Sequence, residues 1–122
     1  METLRIVCQL VIAVGIANVW LVRSAKATAF RGGDAQDMKA EFAAYGLPGW
    51  SMQLIGAAKL TLAVALIVGI WVPSLVFPAA IGMSVLMLGA VSMHIKISDP
   101  LRKAVPALCM LGLSATVALT AL

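Results

Sequence analysis

Four long apolar stretches dominate the pattern of hydrophobic and polar positions along the chain. They cover roughly residues 4–22, 51–72, 75–95 and 104–122. At about 1.5 Å per helical residue, each can cross a hydrocarbon layer of about 30 Å. Pro73 separates the second stretch from the third, and Asp99-Pro100 separates the third from the fourth, because proline disfavours helix in the residue before it. The pattern therefore predicts an all-α fold: one domain, residues 1–122, built as a bundle of four transmembrane helices.

The long connection between the first two stretches, residues 23–50, carries a short periodic segment of its own. Three large apolar side chains recur there at helical spacing with charged residues between them: Met38, Phe42 and Tyr45. This spacing predicts a short amphipathic helix within residues 34–46 that lies in the membrane interface between helices 1 and 2. We expect Asp34 to be its N-cap and Gly46 to end it.

Composition supports a membrane protein. Of the 122 residues, 62% are hydrophobic and 11% are charged, whereas a soluble domain carries about 25% charged residues. We therefore expect the lipid bilayer to be the chain's main partner. The net charge of +4 is divided between two connections, as is usual for loops beside anionic lipid, so we expect no nucleic acid to bind.

The positions of lysine and arginine predict the orientation. Those of the first and third connections are Arg23, Lys26, Arg31, Lys39, Lys96, Arg102 and Lys103. On the opposite side only Arg5 is basic, so the positive-inside rule places residues 23–50 and 96–103 in the cytoplasm and both termini outside.

The first apolar stretch has no basic n-region beyond Arg5 and no small-residue cleavage site. We therefore interpret it as a retained helix and not as a signal peptide.

Lys59 lies near the centre of the second apolar stretch, about 12–13 Å from its cytoplasmic end. A lysine at mid-bilayer costs about 2.5–3.5 kcal/mol on insertion scales, so it usually faces a protein interior or a water-filled cavity. No Asp or Glu lies in the apolar stretches to pair with it. Depth counting predicts that three polar side chains on the other helices surround its ammonium: Asn18, Ser84 and Ser114.

Three interpretations of Lys59 remain open from the residues alone. Its stem could lie along a helix while its tip reaches hydroxyls or water, which would be an architectural role. It could line a cavity and bind an anionic or carbonyl-bearing ligand, such as a quinone or a fatty-acid head. It could also act as a proton carrier or base.

His94 is the only histidine and ends the third apolar stretch. One histidine cannot form a multi-histidine metal site, so we expect no metal. His94 is either hydrogen-bonded to a loop at the interface or supplies a ligand contact or proton entry to the cavity.

Cys8 and Cys109 differ in depth by about 15–20 Å, and a disulfide needs Cα atoms within about 7 Å. We therefore predict two buried free thiols and no thioredoxin-type site.

Several short motifs resemble the DoxX-like family of small four-helix bacterial membrane proteins. They are Phe42-Ala-Ala-Tyr-Gly-Leu-Pro-Gly-Trp50, Ile55-Gly-Ala-Ala-Lys-Leu60, Pro73 and Gly89-Ala-Val-Ser-Met-His94. The resemblance runs from Phe42 to the C-terminus and implies a four-helix bundle in the bacterial cytoplasmic (inner) membrane, with a family histidine matching His94. Many members carry an acid near the position of Lys59, so the lysine here departs from the pattern. The founding relatives are membrane subunits associated with quinone-linked oxidoreductase complexes and redox defence.

These inferences favour a membrane subunit, or a quinone- or lipophile-binding accessory of a redox assembly, with a mid-membrane polar pocket. Its expected ligand-binding residues are Lys59, Asn18, Ser84, Ser114 and His94. A redox protein and a second copy of the chain are the expected protein partners, and a quinone or lipid is the only expected cofactor-like ligand. The alternatives are a small transporter or binding protein for an anionic or neutral lipophile, and a membrane enzyme, for which the sequence identifies no catalytic residue.

Overall fold

The computed structural model describes residues 2–23 and 31–122. Its α-helices are α1 (Glu2–Ala17), α2 (Met38–Ala44), α3 (Gly49–Val68), α4 (Val76–Lys96) and α5 (Leu101–Thr120). A π-helical turn, Asn18–Val22, prolongs α1, and a 3-10 turn, Pro73–Leu75, leads into α4. Among the described residues, four helices are long and apolar enough to cross a membrane: α1, α3, α4 and α5 with these turns. The predicted all-α fold with four such helices is confirmed. Part of the predicted basic connection, including Lys26, lies outside the described residues.

The four long helices pack as a ring. Helix α1 contacts α3 and α5, and α4 contacts the same two helices from the other side. One end of the bundle, which we call the termini end, holds Glu2, the turn before α4 and Leu122. The other end, the α2 end, holds residues 31–48 and the turn between α4 and α5.

The outer surface of the ring is apolar on every long helix. Exposed large apolar side chains include Val7, Val14, Val64, Val85, Leu88 and Leu119. A soluble protein rarely exposes continuous apolar surface, whereas a bilayer solvates it. The chain is therefore a multi-pass integral membrane protein.

The hydrophobic core fills the half of the bundle next to the termini end. Its buried members are Cys8, Ile12, Ala13, Ile16, Ala63, Leu66, Val76, Ala79, Ala80, Met83, Met87, Val117 and Ala118. Small alanines from α1, α3, α4 and α5 let the helices approach closely, which favours packing where lipid supplies no hydrophobic drive. This half is packed with apolar side chains, so the space for a site lies in the other half.

Gln9 joins α1 to the end of α3 inside this core. Its Nε2 donates a 2.7 Å hydrogen bond to the Leu66 carbonyl. That carbonyl belongs to the last turn of α3, where helix carbonyls lack a backbone partner; the Ile70 amide, which could have reached it, donates to Ile67 instead. Gln9 thus satisfies a helix end within an apolar environment.

Helix α2 differs from its prediction in two respects. Its N-cap is Asp37, whose side chain accepts a hydrogen bond of 2.7 Å from the Ala40 amide, so the predicted cap at Asp34 is wrong. Its apolar face is buried against the bundle, with Phe42 8% exposed, and not turned towards lipid. Gly46 follows its end with φ +78°, a left-handed conformation that suits glycine, as predicted. Helix α2 is therefore a cover for the α2 end of the bundle.

The two cysteines are both free, as expected, but their surroundings differ. Cys8 is buried in the core, whereas Cys109 is exposed on the outer surface of α5. The prediction that both thiols are buried is therefore wrong for Cys109, because depth along a helix does not determine which face a residue occupies.

Candidate functional site

A cavity of about 770 Å³ lies in the half of the bundle next to α2. Most of its wall is apolar, and its polar lining consists of Asn18, Arg23, Arg31, Glu41, Tyr45, Lys59, His94 and Lys103. The cavity is partly open to the surroundings, and its lining includes the exposed residues Asn18 and Val85. Val85 lies near the middle of α4, where the surroundings of a membrane-spanning helix are lipid.

Lys59 projects into this cavity from the middle of α3, ten residues after the helix begins. Its Nζ lies 5.5 Å from the centroid of the Trp20 ring, a cation–π distance. Among the described residues, no hydrogen bond or ion pair joins this ammonium to another group. A charged donor in a largely apolar cavity therefore faces the open volume.

Trp20 is positioned by the π-helical turn and by a glycine. The Trp20 ring lies so close to Gly56 that a Cβ there would be 2.6 Å from the ring. The ring also meets Phe42 edge-on, with centroids 6.0 Å apart. The extra residue of a π turn rotates the side chains after it, and such turns are frequent at functional sites. The turn, Gly56 and α2 together hold the indole beneath the Lys59 ammonium.

Glu41 is the acid of the cavity wall, and three donors bind it. Arg31 Nη1 lies 2.9 Å from Oε2. The Tyr45 hydroxyl donates to Oε1 at 2.6 Å, and the Gly32 amide donates to the same oxygen at 3.1 Å. Burying a carboxylate is costly unless it is paired and hydrogen-bonded, and these donors meet that requirement.

His94 extends this network to the turn between α4 and α5. Its Nδ1 lies 2.7 Å from Asp99 Oδ2, and its Nε2 lies 3.4 Å from the Tyr45 hydroxyl. Asp99 also accepts a 3.1 Å hydrogen bond from the Gly33 amide and lies 3.9 Å from Lys103 Nζ. Glu41, Tyr45, His94 and Asp99 thus form a continuous hydrogen-bonded chain from the cavity wall to a loop.

Two members of this chain outside the membrane-spanning segments have displaced pKa values. Burial raises the pKa of Tyr45 well above its ordinary value, and the hydrogen bond to Glu41 and the charge of Glu41 raise it further. Burial alone would raise the pKa of Asp99, but the His94 hydrogen bond, the Gly33 amide and Lys103 together lower it. Tyr45 is therefore held as a neutral phenol and Asp99 as a carboxylate.

The structure brings three of the five predicted site residues to the cavity. Lys59, Asn18 and His94 line it, whereas Ser84 and Ser114 do not. The Ser84 hydroxyl donates to the Ala80 carbonyl of its own helix at 2.8 Å. Ser114 is fully buried in the packed half of the bundle, and its hydroxyl has no hydrogen-bond partner among the described residues. Binding by any of these residues remains a prediction.

The sequence pattern did not predict Glu41, Tyr45 and Asp99 as parts of this site. A signal was present in α2, because Glu41 and Tyr45 are four residues apart and lie on the buried face with Phe42. An acid and a phenol on the apolar face of a short helix favour burial against protein over contact with lipid.

The cavity is suited to an organic molecule more than to a metal ion. No group of three His, Cys, Asp or Glu side chains converges on one point in the described ranges. The apolar wall fits a hydrocarbon body. Lys59, Arg23 and Lys103 exceed the single acid Glu41 in number, which favours a ligand head that accepts hydrogen bonds or is anionic.

The sequence model of the DoxX-like family matches residues 11–117, which is most of the chain. The chain therefore belongs to that family. No curated protein and no solved structure gave a match.

Proposed function

For this member of the DoxX-like family, we propose a small membrane subunit that binds a lipophilic molecule of the quinone or fatty-acid class and serves a redox assembly. The ligand places its oxygen-bearing head beside Lys59 and its apolar body along the cavity wall. The observation that carries this proposal is the Lys59 ammonium, which faces the cavity with the Trp20 ring as its contact.

The state of the ammonium supports a ligand with an acceptor head. A charged group in apolar surroundings is costly unless another group pairs with it or hydrogen-bonds to it. A carbonyl, phenolate or carboxylate oxygen in the cavity would supply that partner. The Trp20 ring leaves the donor protons of Lys59 available, because a cation–π contact uses the charge without an acceptor atom.

The opening of the cavity supports entry from the bilayer. Val85 is 63% exposed while it lines the cavity, and it lies near the middle of a membrane-spanning helix. A molecule dissolved in lipid can reach the cavity at this level without crossing the polar network beside α2. This route suits a hydrophobic ligand and excludes a large hydrophilic one.

The structure favours binding over transport or catalysis. The packed core between Cys8 and Ala118 closes the half of the bundle next to the termini, so the cavity has no visible path to that end. Among the described residues that line the cavity, none is a serine, threonine or cysteine. A nucleophile of those types is needed for most covalent chemistry on a lipophile.

The redox assignment rests on the family resemblance, whose founding relatives are subunits of quinone-linked complexes. We propose the bacterial inner membrane as the location, with the α2 end in the cytoplasm, as the lysine and arginine distribution favours. A second copy of the chain is a further proposed partner.

Native purification tests the proposal. The protein is extracted together with its surrounding lipid, crosslinked, and analysed by mass spectrometry for bound small molecules and neighbouring proteins. We expect wild type and the exposed-site control Lys39→Met to retain the same lipophilic molecule and Lys59→Met to lose most of it. Repeated isolation without any quinone or redox protein would remove the redox assignment, and equal retention by Lys59→Met would remove the site.

A further inference from the structure

We propose that His94, Tyr45 and Glu41 form a proton relay that couples binding of an anionic ligand in the cavity to uptake of one proton from the α2 end. This inference rests on the proposed function and narrows its ligand to a lipophilic anion. The juxtaposition that carries it is the unbroken chain from Asp99 at the loop to Glu41 at the cavity wall.

The hydrogen-bond directions define two states of the relay. The Tyr45 hydroxyl has one proton, and it donates that proton to Glu41 Oε1 at 2.6 Å. The phenol oxygen can then only accept from His94 Nε2, 3.4 Å away, which requires Nε2 to carry a proton. Nδ1 also carries one when it donates to Asp99, so this arrangement fits the imidazolium form of His94 beside the Asp99 carboxylate.

The second state follows from two coupled transfers. His94 Nε2 gives its proton to the Tyr45 oxygen, while the Tyr45 hydroxyl proton passes to Glu41 Oε1. His94 is then neutral, Tyr45 is again a phenol that now donates to His94, and Glu41 is a carboxylic acid. Water at the α2 end restores the proton on His94, so the net change is one proton gained by Glu41.

Protonation of Glu41 changes the charge that the cavity presents. In the first state the Glu41 carboxylate offsets Arg31, with Nη1 and Oε2 2.9 Å apart. Transfer within the relay leaves the total charge unchanged, because His94 loses the proton that Glu41 gains. Once water has restored the proton on His94, the Glu41 offset is lost and the cavity carries one more unit of positive charge than in the first state. An anionic head therefore binds this reprotonated state more tightly, and binding draws a proton through the relay.

Charged groups face the relay from each packed element. They are Arg23 beyond α1, Arg31 before α2, Lys59 on α3, Lys96 at the end of α4, Asp99 in the turn and Lys103 on α5. Lys96 donates to the Tyr45 carbonyl at 2.9 Å. Among the described residues, five cations and Asp99 therefore contact the relay or line the cavity beside it, and their balance favours arrival of an anion. The raised pKa of Tyr45 is consistent with a relay through the neutral phenol, without a phenolate intermediate.

Calorimetry of a non-titrating anion tests the coupling. Dodecanesulfonate below its micellar concentration is titrated into the full chain in lipid nanodiscs, in two buffers with different ionisation enthalpies. The difference between the two apparent enthalpies gives the protons taken up per probe bound. For wild type and for the control Glu2→Gln at the other end of the bundle, we expect uptake that approaches about one proton at neutral pH.

Variants separate the relay from a structural role. Glu41→Gln should bind the probe with clearly less proton uptake than wild type and with an affinity that changes less with pH. Tyr45→Phe keeps the ring but removes the relay hydroxyl. Its proton uptake, followed with a pH dye after rapid mixing, should slow by about tenfold or more in protein that circular dichroism shows to be folded.

The outcomes are distinct. Binding of dodecanesulfonate by wild type without proton uptake overturns the relay and leaves the proposed function intact. Proton uptake by Tyr45→Phe at the wild-type rate also overturns the relay. No binding by wild type overturns the anion site and the relay with it, whereas binding of a neutral quinone in the same nanodiscs would still support the proposed function.

Discussion

The ammonium of Lys59 lies 5.5 Å from the centre of the Trp20 ring, within the cavity that both residues line. The contact depends on Gly56, since a side chain there would collide with the indole. The position of the Trp20 ring against the Lys59 ammonium therefore depends on Gly56 of α3, on the π-helical turn after α1 and on helix α2. The proposed binding site depends on the Lys59 ammonium being available to a ligand.

Gly56→Ala should displace the indole and disturb the cavity. The added Cβ would lie 2.6 Å from the Trp20 ring, and overpacking of this kind costs about 1–3 kcal/mol. We expect a lower melting temperature in detergent and a changed Trp20 emission. The matched control is Gly89→Ala, because no atom lies within 4 Å of a Cβ at that position. Equal stability of the two variants would contradict the close packing of Trp20 on α3.

Tyr45 provides an internal pH probe, because it is the only tyrosine in the chain. Its raised pKa means that the folded protein favours the neutral phenol. This contribution to stability is fully present below the ordinary tyrosine pKa of about 10 and is lost as pH rises beyond it. Phenolate absorbance should therefore stay absent at pH values where the denatured protein already ionises. Ionisation of the folded protein near the ordinary value would show that Tyr45 is not buried against Glu41.

Gln9→Leu should destabilise the bundle. The substitution keeps the side chain's bulk but leaves the Leu66 carbonyl, now bonded at 2.7 Å, without its donor. We expect a loss of about 1–2 kcal/mol in the free energy of unfolding, measured with a denaturing detergent. Gln53→Leu, at an exposed position of α3, is the control and should change stability little. A loss as large in the control would point to a general effect of removing an amide.

The sequence predicted the features that hydropathy alone determines. It failed for the features that depend on how a helix is rotated about its axis. Apolar length predicted the four spans, and residue counts placed Ser114 and Lys59 at comparable depths. Depth does not determine the face, however, and Ser114 is fully buried without lining the cavity. The π-helical turn that carries Asn18 adds a further rotation that no spacing rule indicated.

The acid beside Lys59 was missed for a related reason. Glu41 lies outside every apolar stretch, and its spacing with Tyr45 on the apolar face of α2 is the one sequence signal that favours burial against protein. The hydrogen bond between the two side chains inside the bundle is visible only in the tertiary structure.

Orientation can be tested with single cysteines. In a Cys8→Ala/Cys109→Ala background, Gln36→Cys places a thiol at the α2 end and Ser74→Cys places one in the exposed turn at the termini end. We expect a membrane-impermeant maleimide added to intact cells to label position 74 and not position 36. Lysis should make both reactive, which serves as the control for accessibility. Labelling of position 36 in intact cells would reverse the proposed topology.

The most direct test of the central claim is saturation of the cavity measured through Trp20. Of the three tryptophans, Trp50 and Trp71 are exposed, so Trp50→Phe/Trp71→Phe leaves the cavity indole as the only one. In lipid nanodiscs, decylubiquinone should quench it with saturable binding. Lys59→Met should raise the Kd about tenfold or more, because a charged hydrogen bond contributes about 1.5–3 kcal/mol, whereas Lys39→Met should leave it unchanged. Quenching that never saturates, or a Kd that Lys59→Met does not alter, would contradict the binding site proposed around Lys59.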